Sequence, residues 1–202
     1  MNMQYQALKP GAMLSPVPAV LVSCGAEGKS PNALTIAWAG TVCSDPPMCS
    51  ISVRPERYSH GMIVESGEFV VNLCSRAMLK AADYCGVRSG RDEDKLKNAG
   101  LSCIRANGMT FAPAIDGAPL YLSCRVQDRI PLGSHDLFLA KIVHVGVRED
   151  LLDESGRLQL EKADLIAYSH GIYHAVGDVL GFFGFSVAAP DVYERRMAAL
   201  KG

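Results

Sequence analysis

A chain of 202 residues is long enough to bury an apolar core without metals or disulfides, and 49% apolar against 20% charged residues excludes a disordered composition. With 20 Lys and Arg against 21 Asp and Glu the net charge is −1, so no broad positive field exists to draw in a nucleic acid. The first residues, MNMQYQALKPG, lack a basic stretch followed by an apolar one, and no run reaches membrane-spanning length; a soluble, cytoplasmic protein with no membrane partner is expected.

Seven cysteines form no CxxC pair and no cluster with zinc spacing, which points to reduced, buried thiols in an intracellular compartment and to no metal. AVLVSC (residues 19–24) is expected as a buried strand, GAEGKSPN as a hairpin connection, and ALTIAWAG as the next strand. Asp45, Pro46 and Pro47 break the chain before a third strand, MCSISV. Three strands in about 35 residues leave no room for crossover helices, so the sheet should be antiparallel.

Residues 59–67 suit a short helix with Ser59 as N-cap, EFVVNL suits another strand, and residues 76–84 suit a helix. The polar segment GVRSGRDEDKLKNAG interrupts the sheet pattern, is expected to hold a short helix ending near Gly100, and is a candidate excursion over a site. From Leu120 the chain alternates, with Leu120, Leu122, Cys124 and Val126 on one face and Tyr121, Ser123, Arg125 and Gln127 on the other. Residues 137–147 alternate as well, placing Phe138, Ala140, Ile142 and His144 together opposite Leu137, Leu139, Val143, Val145 and Val147. DLLDESGRLQ is a turn, and the tail from Asp191 is a surface helix or a frayed end.

GxSxG, HExxH, the P-loop pattern and the dinucleotide GxGxxG are all missing. Four segments carry candidate chemistry. SVRPERYSH (residues 52–60) sets Arg54, Arg57, Ser59 and His60 after a strand and at a helix start, which suits a phosphate as well as it suits an ordinary polar turn. Around Trp38, the small and hydroxyl residues Thr35, Ala37, Ala39, Gly40 and Thr41 allow a flat ring close to the backbone, while a packed core tryptophan explains the same pattern. Asn72 ends an apolar strand and must find a turn backbone or a ligand. AYSHGIYHAVG brings Tyr168, His170, Tyr173 and His174 close in sequence; the histidines would share one face of a helix, but Gly171 between them and the lack of an acidic third ligand argue against a metal.

The segments PVPAVLVS, NALTIAWAGTVCSDPPMCSISVRPERYSH, GEFVVNL, GVRSGRDEDKLKNAGL and AYSHGIYHAVG, taken in this order over roughly residues 10–180, resemble the flavin reductase-like family and especially its flavoredoxin-type members. The resemblance implies a mainly β fold with short helices, a split β-barrel, as a single domain over residues 1–202 with its core at about 10–180 and a C-terminal extension at 181–202. It implies a homodimer with FMN near the subunit boundary. Positions lining the flavin ring and ribityl chain match Thr35, Ile36, Ala37, Trp38, Thr41 and Asn72; phosphate positions match Ser52, Arg54, Ser59 and His60, with Arg57 beside them; Lys95 and Tyr173 match regions that close over the cofactor. A compact phosphate site favours FMN over FAD. NADH or NADPH would donate electrons, and free flavin, an iron complex or a protein would accept them. Two rival readings are an electron carrier reduced by a redox protein partner and a non-enzymatic flavin-binding or sensing protein.

Overall fold

The computed structural model describes residues 3–201. In chain order its elements are β1 (Val17–Pro18), β2 (Val20–Ala26), β3 (Lys29–Ile36), β4 (Ala39–Ser44), β5 (Pro47–Val53), α1 (Tyr58–Ser66), β6 (Glu68–Leu73), α2 (Leu79–Val87), α3 (Lys95–Asn98), β7 (Cys103–Ile104), β8 (Ala114–Ile115), β9 (Leu120–Pro131), β10 (Asp136–Val147), β11 (Ile166–Ser169), β12 (Ile172–Ala175) and α4 (Pro190–Lys201). Seven strands form one antiparallel sheet in the order β3-β2-β6-β9-β10-β5-β4, and β1, β11 and β12 form a small second sheet. The outermost strands of the large sheet, β3 and β4, follow each other in the chain, separated by Ala37 and Trp38 alone. The Ser52 amide donates to the Trp38 carbonyl at 2.9 Å, so this link is tied to β5 and the sheet is drawn round into a split barrel.

Alternation fills the barrel. Val20, Val22 and Cys24 of β2, Leu34 and Ile36 of β3, Ile51 and Val53 of β5, Phe69 and Val71 of β6, Cys124 of β9, and Phe138 and Ala140 of β10 form one buried cluster, and Met62 and Ile63 of α1 pack against it. Outside β2 and β3, Ala82 and Cys85 of α2 and Leu96 of α3 pack on Ala19, Leu21 and Ala33. Small residues on both sides bring α2 close to the strand that leads to Trp38. Among the described residues no helix is long and apolar enough to cross a membrane.

Three expectations change. ALTIAWAG is two strands, because the chain turns at Ala37 and Trp38 and β4 begins at Ala39. Arg57, with extended backbone, is the N-cap residue of α1, so Ser59 lies inside the first turn. Strict alternation fails in β10: register shifts between Ile142 and His144, so Ile142 pairs with core-facing Cys124 while His144 pairs with Ser123 and packs near Tyr121 at 6.0 Å between ring centroids. The extra residue of this bulge, Val143, moves His144 off the face it would share with Phe138.

Glu68, 1% exposed at the start of β6, accepts hydrogen bonds from the amides of Thr110 (2.9 Å) and Ala112 (2.8 Å) and from that of Phe111, pinning the loop between β7 and β8 to the barrel. Glu68→Ala strands three amides, and urea unfolding should show a stability loss of about 3 kcal/mol. A loss within 0.5 kcal/mol, the ordinary scatter of a surface substitution, would mean that the loop is held by its apolar contacts instead.

Candidate functional site

Where β3 ends, the wall of the barrel opens into a cleft of about 520 Å³, within the range of small-molecule sites. One side is the segment Thr35, Ile36, Ala37 and Trp38. Facing it are Ser52, Val53 and Arg54 at the end of β5, and Asp83, Gly86 and Val87 of α2; Tyr168, Gly171 and Tyr173 from the β11–β12 hairpin line its margin, with His135. The Thr35 hydroxyl donates to the Ala82 carbonyl, fixing the end of β3 to α2. Ile36 points into the core, so its backbone and not its side-chain tip serves the cleft. Tyr168 and Tyr173 meet edge to face at 5.4 Å, and the Tyr173 hydroxyl donates to Asp83 Oδ1 at 3.3 Å. Burial, with the Asp83 carboxylate beside it, pushes the Tyr173 phenol up to about 12, so it stays protonated and a donor at neutral pH.

A second recess of about 370 Å³ shares Leu34, Arg54 and Arg57 with the cleft and is lined further by residues of α1 and of the α2–α3 link. Its floor holds three buried polar side chains: Asn32, Ser59 and Lys95, at 4%, 1% and 4% exposure. Asn32 Nδ2 donates to Ser59 Oγ at 2.7 Å, and Lys95 Nζ donates to the Cys85 carbonyl at 3.1 Å. No carboxylate lies within ion-pair distance of Lys95 among the described residues; burial pulls its pKa down, opposed only in part by the more distant Glu93. Gly90 is required here, since a Cβ would stand 2.6 Å from Asn32 Oδ1 and 2.8 Å from the Tyr58 ring. A buried ammonium, a hydroxyl and an amide at the end of a cationic opening make a site for a small anion.

Ten residues singled out from the sequence come together here. Thr35, Ile36, Ala37, Trp38, Ser52 and Tyr173 line the cleft, Arg54 and Arg57 line both cavities, and Ser59 and Lys95 line the recess. Three are placed elsewhere. Thr41 is exposed on β4, opposite Cys49 and away from both cavities. His60 turns toward β10, hydrogen-bonding Asp136 Oδ2 at 2.8 Å and packing on Phe138, so it supports α1 from beneath. Asn72 is fully buried: its amide nitrogen donates to the Leu21 carbonyl and to Ser23 Oγ, both at 2.9 Å, while its oxygen accepts from the Ile115 amide at 2.8 Å. That side chain ties β2, β6 and β8 and is enclosed away from both cavities. His170 and His174 lie on the β11–β12 hairpin, not on one helix face. Tyr168, singled out with Tyr173 in the AYSHGIYHAVG segment, also lines the cleft, whereas the sequence reading missed Asn32, Asp83 and His135 as site residues.

A family model, the flavin reductase like domain, matches residues 13–177. The chain belongs to that family. It is similar in structure to the flavoredoxin of Desulfovibrio vulgaris (Miyazaki F), with a TM-score of 0.82, 30% identity, and 89% of this chain and 97% of that one covered. The flavoredoxin from Methanosarcina acetivorans gives a TM-score of 0.78 at 27% identity, covering 88% and 95%. In sequence the chain is 27% identical to the FMN reductase (NADH) RutF of Pseudomonas syringae pv. syringae, over 67% of this chain and 68% of that protein. The family ties the fold to flavin binding and reductase chemistry.

Because Asn72 is a cross-strand tie, Asn72→Ala should lower stability by about 2–3 kcal/mol in urea unfolding while leaving the affinity of the folded protein for a cleft ligand within about twofold. A tenfold loss of ligand affinity with unchanged stability would return Asn72 to the site.

Proposed function

We propose that the protein binds FMN and acts as an oxidoreductase of the flavin reductase type, taking electrons from NADH or NADPH and passing them to free flavin, an iron complex or a protein. The observation that carries this reading is Lys95: an ammonium 4% exposed, in no ion pair among the described residues, on the floor of a recess that shares its lining with a cleft suited to a flat ring. Those residues fit a flavin phosphate. Lys95 supplies charge, the Ser59 hydroxyl has a hydrogen to donate because its oxygen already accepts from Asn32, and Arg57 stands where the two cavities join.

A bound flavin would supply the redox chemistry, accepting a hydride from a nicotinamide and releasing electrons to the acceptor. The chain's part is binding and orientation. The segment Thr35–Trp38 offers backbone and small side chains to a ring edge, with Thr35 locked to α2; Tyr168 and Tyr173 restrict the cleft on its far side. Tyr173, its one hydroxyl hydrogen donated to Asp83, is held in place as a neutral ring at the margin of the cleft. No acid or base from the protein is needed for a hydride step, so the site's task is to bind and align the reactants.

The second reading is an electron carrier without nicotinamide activity, favoured by the likeness to two flavoredoxins. We also take the working form to be a homodimer: β4 is an edge strand, and Trp38 at the cleft and Val42 on β4 are 40% and 50% exposed, apolar surface that a second copy would cover.

Two measurements test these readings. Lys95→Met should weaken FMN binding about a hundredfold and riboflavin binding less than threefold, followed by quenching of flavin fluorescence; equal effects on both would remove the phosphate from Lys95. Anaerobic absorption of the FMN-loaded protein should show rapid bleaching on adding NADH or NADPH. A spectrum unchanged by both, yet bleached by dithionite, would establish the carrier instead.

A further inference from the structure

The recess carries more positive charge than one phosphate requires. Beyond its floor, Arg54, Arg57, Arg88 and Arg91 stand round the same opening. Two carboxylates answer them, Glu56 at 3.4 Å from Arg54 and Glu93 at 3.7 Å from Arg88. Glu93 also accepts from the Tyr84 hydroxyl at 2.8 Å and from Asn98 Nδ2 at 2.7 Å, so its charge is shared away from Arg88.

Arg57 and Arg91 pair with no carboxylate among the described residues. Arg57 Nη1 donates to the Gly86 carbonyl at 3.3 Å; Arg91 Nη1 donates to the Glu56 carbonyl at 2.8 Å, and its guanidinium lies 6.0 Å from the centre of the Tyr58 ring. A carbonyl or an aromatic face fixes a guanidinium without cancelling its charge. Isolated surface arginines are usually just solvated. These come from two separate links, β5–α1 and α2–α3, and converge on one opening beside a buried ammonium. A phosphate monoester carries about −1.5 to −2 at neutral pH, which Lys95 and Arg57 together match. Arg91, with Arg88 beside it, is left for a second anion.

We infer that Arg88 and Arg91 form a second phosphate subsite, one that takes an adenosine-linked phosphate beside the flavin phosphate. This rests on the flavin reading above. Two sources share that chemistry: a separate nicotinamide dinucleotide, or FAD, whose second phosphate is joined to the first.

The test compares wild type with the double variant Arg88→Ala/Arg91→Ala. ADP-ribose is titrated into the FMN-loaded protein by calorimetry, and FMN and FAD are each titrated into the apo-protein by fluorescence. The expected result is that FMN affinity changes less than about threefold, while binding of the adenosine-linked phosphate falls tenfold or more, as one or two lost charge-assisted contacts imply. ADP-ribose binding that shows this loss identifies the separate dinucleotide; an excess of FAD over FMN affinity that vanishes in the variant identifies FAD. If ADP-ribose does not bind and FAD binds no tighter than FMN, or if either binds but equally well in the variant, the subsite is overturned. It is overturned equally if the variant loses FMN as strongly, since the arginines then belong to the flavin phosphate. Failure of wild type to bind FMN at all would be a different result, ending the flavin reading itself.

Discussion

The chain passes from β3 to β4 through two residues, yet these strands are the opposite ends of a seven-stranded sheet. A flat sheet of that order cannot be joined by so short a link, so the sheet must curl until its ends meet. The Ser52–Trp38 hydrogen bond closes the approach, and the core residues on the inner face of β2, β3, β5, β6, β9 and β10 then share one interior. Closure is incomplete where Ala37 and Trp38 turn, and the cleft opens at that split. The site is therefore a consequence of how the barrel closes, lined by backbone that the neighbouring ladders have used incompletely.

Electrostatics adds the second constraint. Burying an ammonium with one carbonyl as hydrogen-bond partner is unfavourable by itself, and the same burial strengthens its attraction for an anion. Position depends on packing: α3 is one turn long, and Leu96 next to Lys95 anchors it in the cluster formed with α2 and β2. The phosphate-binding chemistry of the recess thus rests on the apolar contacts of a very short helix. His60 plays the matching part on the other wall, coupling α1 to Asp136 at the start of β10.

Apolar runs bounded by turn residues made the β2–β3 hairpin and the separate strands β5 and β6 legible, and period-two alternation did the same for the inward face of β9. Alternation failed where one residue is inserted, as at Val143 in β10, because a bulge leaves no mark in composition. The site was legible in pieces. Trp38 with its small neighbours and the arginine-bearing turn after β5 both lie on the cavities, since a ligand near backbone needs small residues and an anion needs donors at a strand end. Asn72 carries the same local signal, a polar group in an apolar strand, and only three-dimensional contacts show that Leu21, Ser23 and Ile115 satisfy it. Asn32 was assigned to a turn, although its spacing from Leu34 and Ile36 places it on the core-facing side of β3. A polar residue on that side was the available clue.

The central claim is that the floor of the recess holds the phosphate of a flavin whose ring lies against Ala37 and Trp38. A crystal structure of the FMN-loaded protein tests it most directly. The account predicts phosphate oxygens within hydrogen-bond distance of Lys95 Nζ and Ser59 Oγ, with the ring in the cleft between Trp38 and Tyr173. A phosphate bound elsewhere, with Lys95 Nζ still bonded to the Cys85 carbonyl alone, would contradict it.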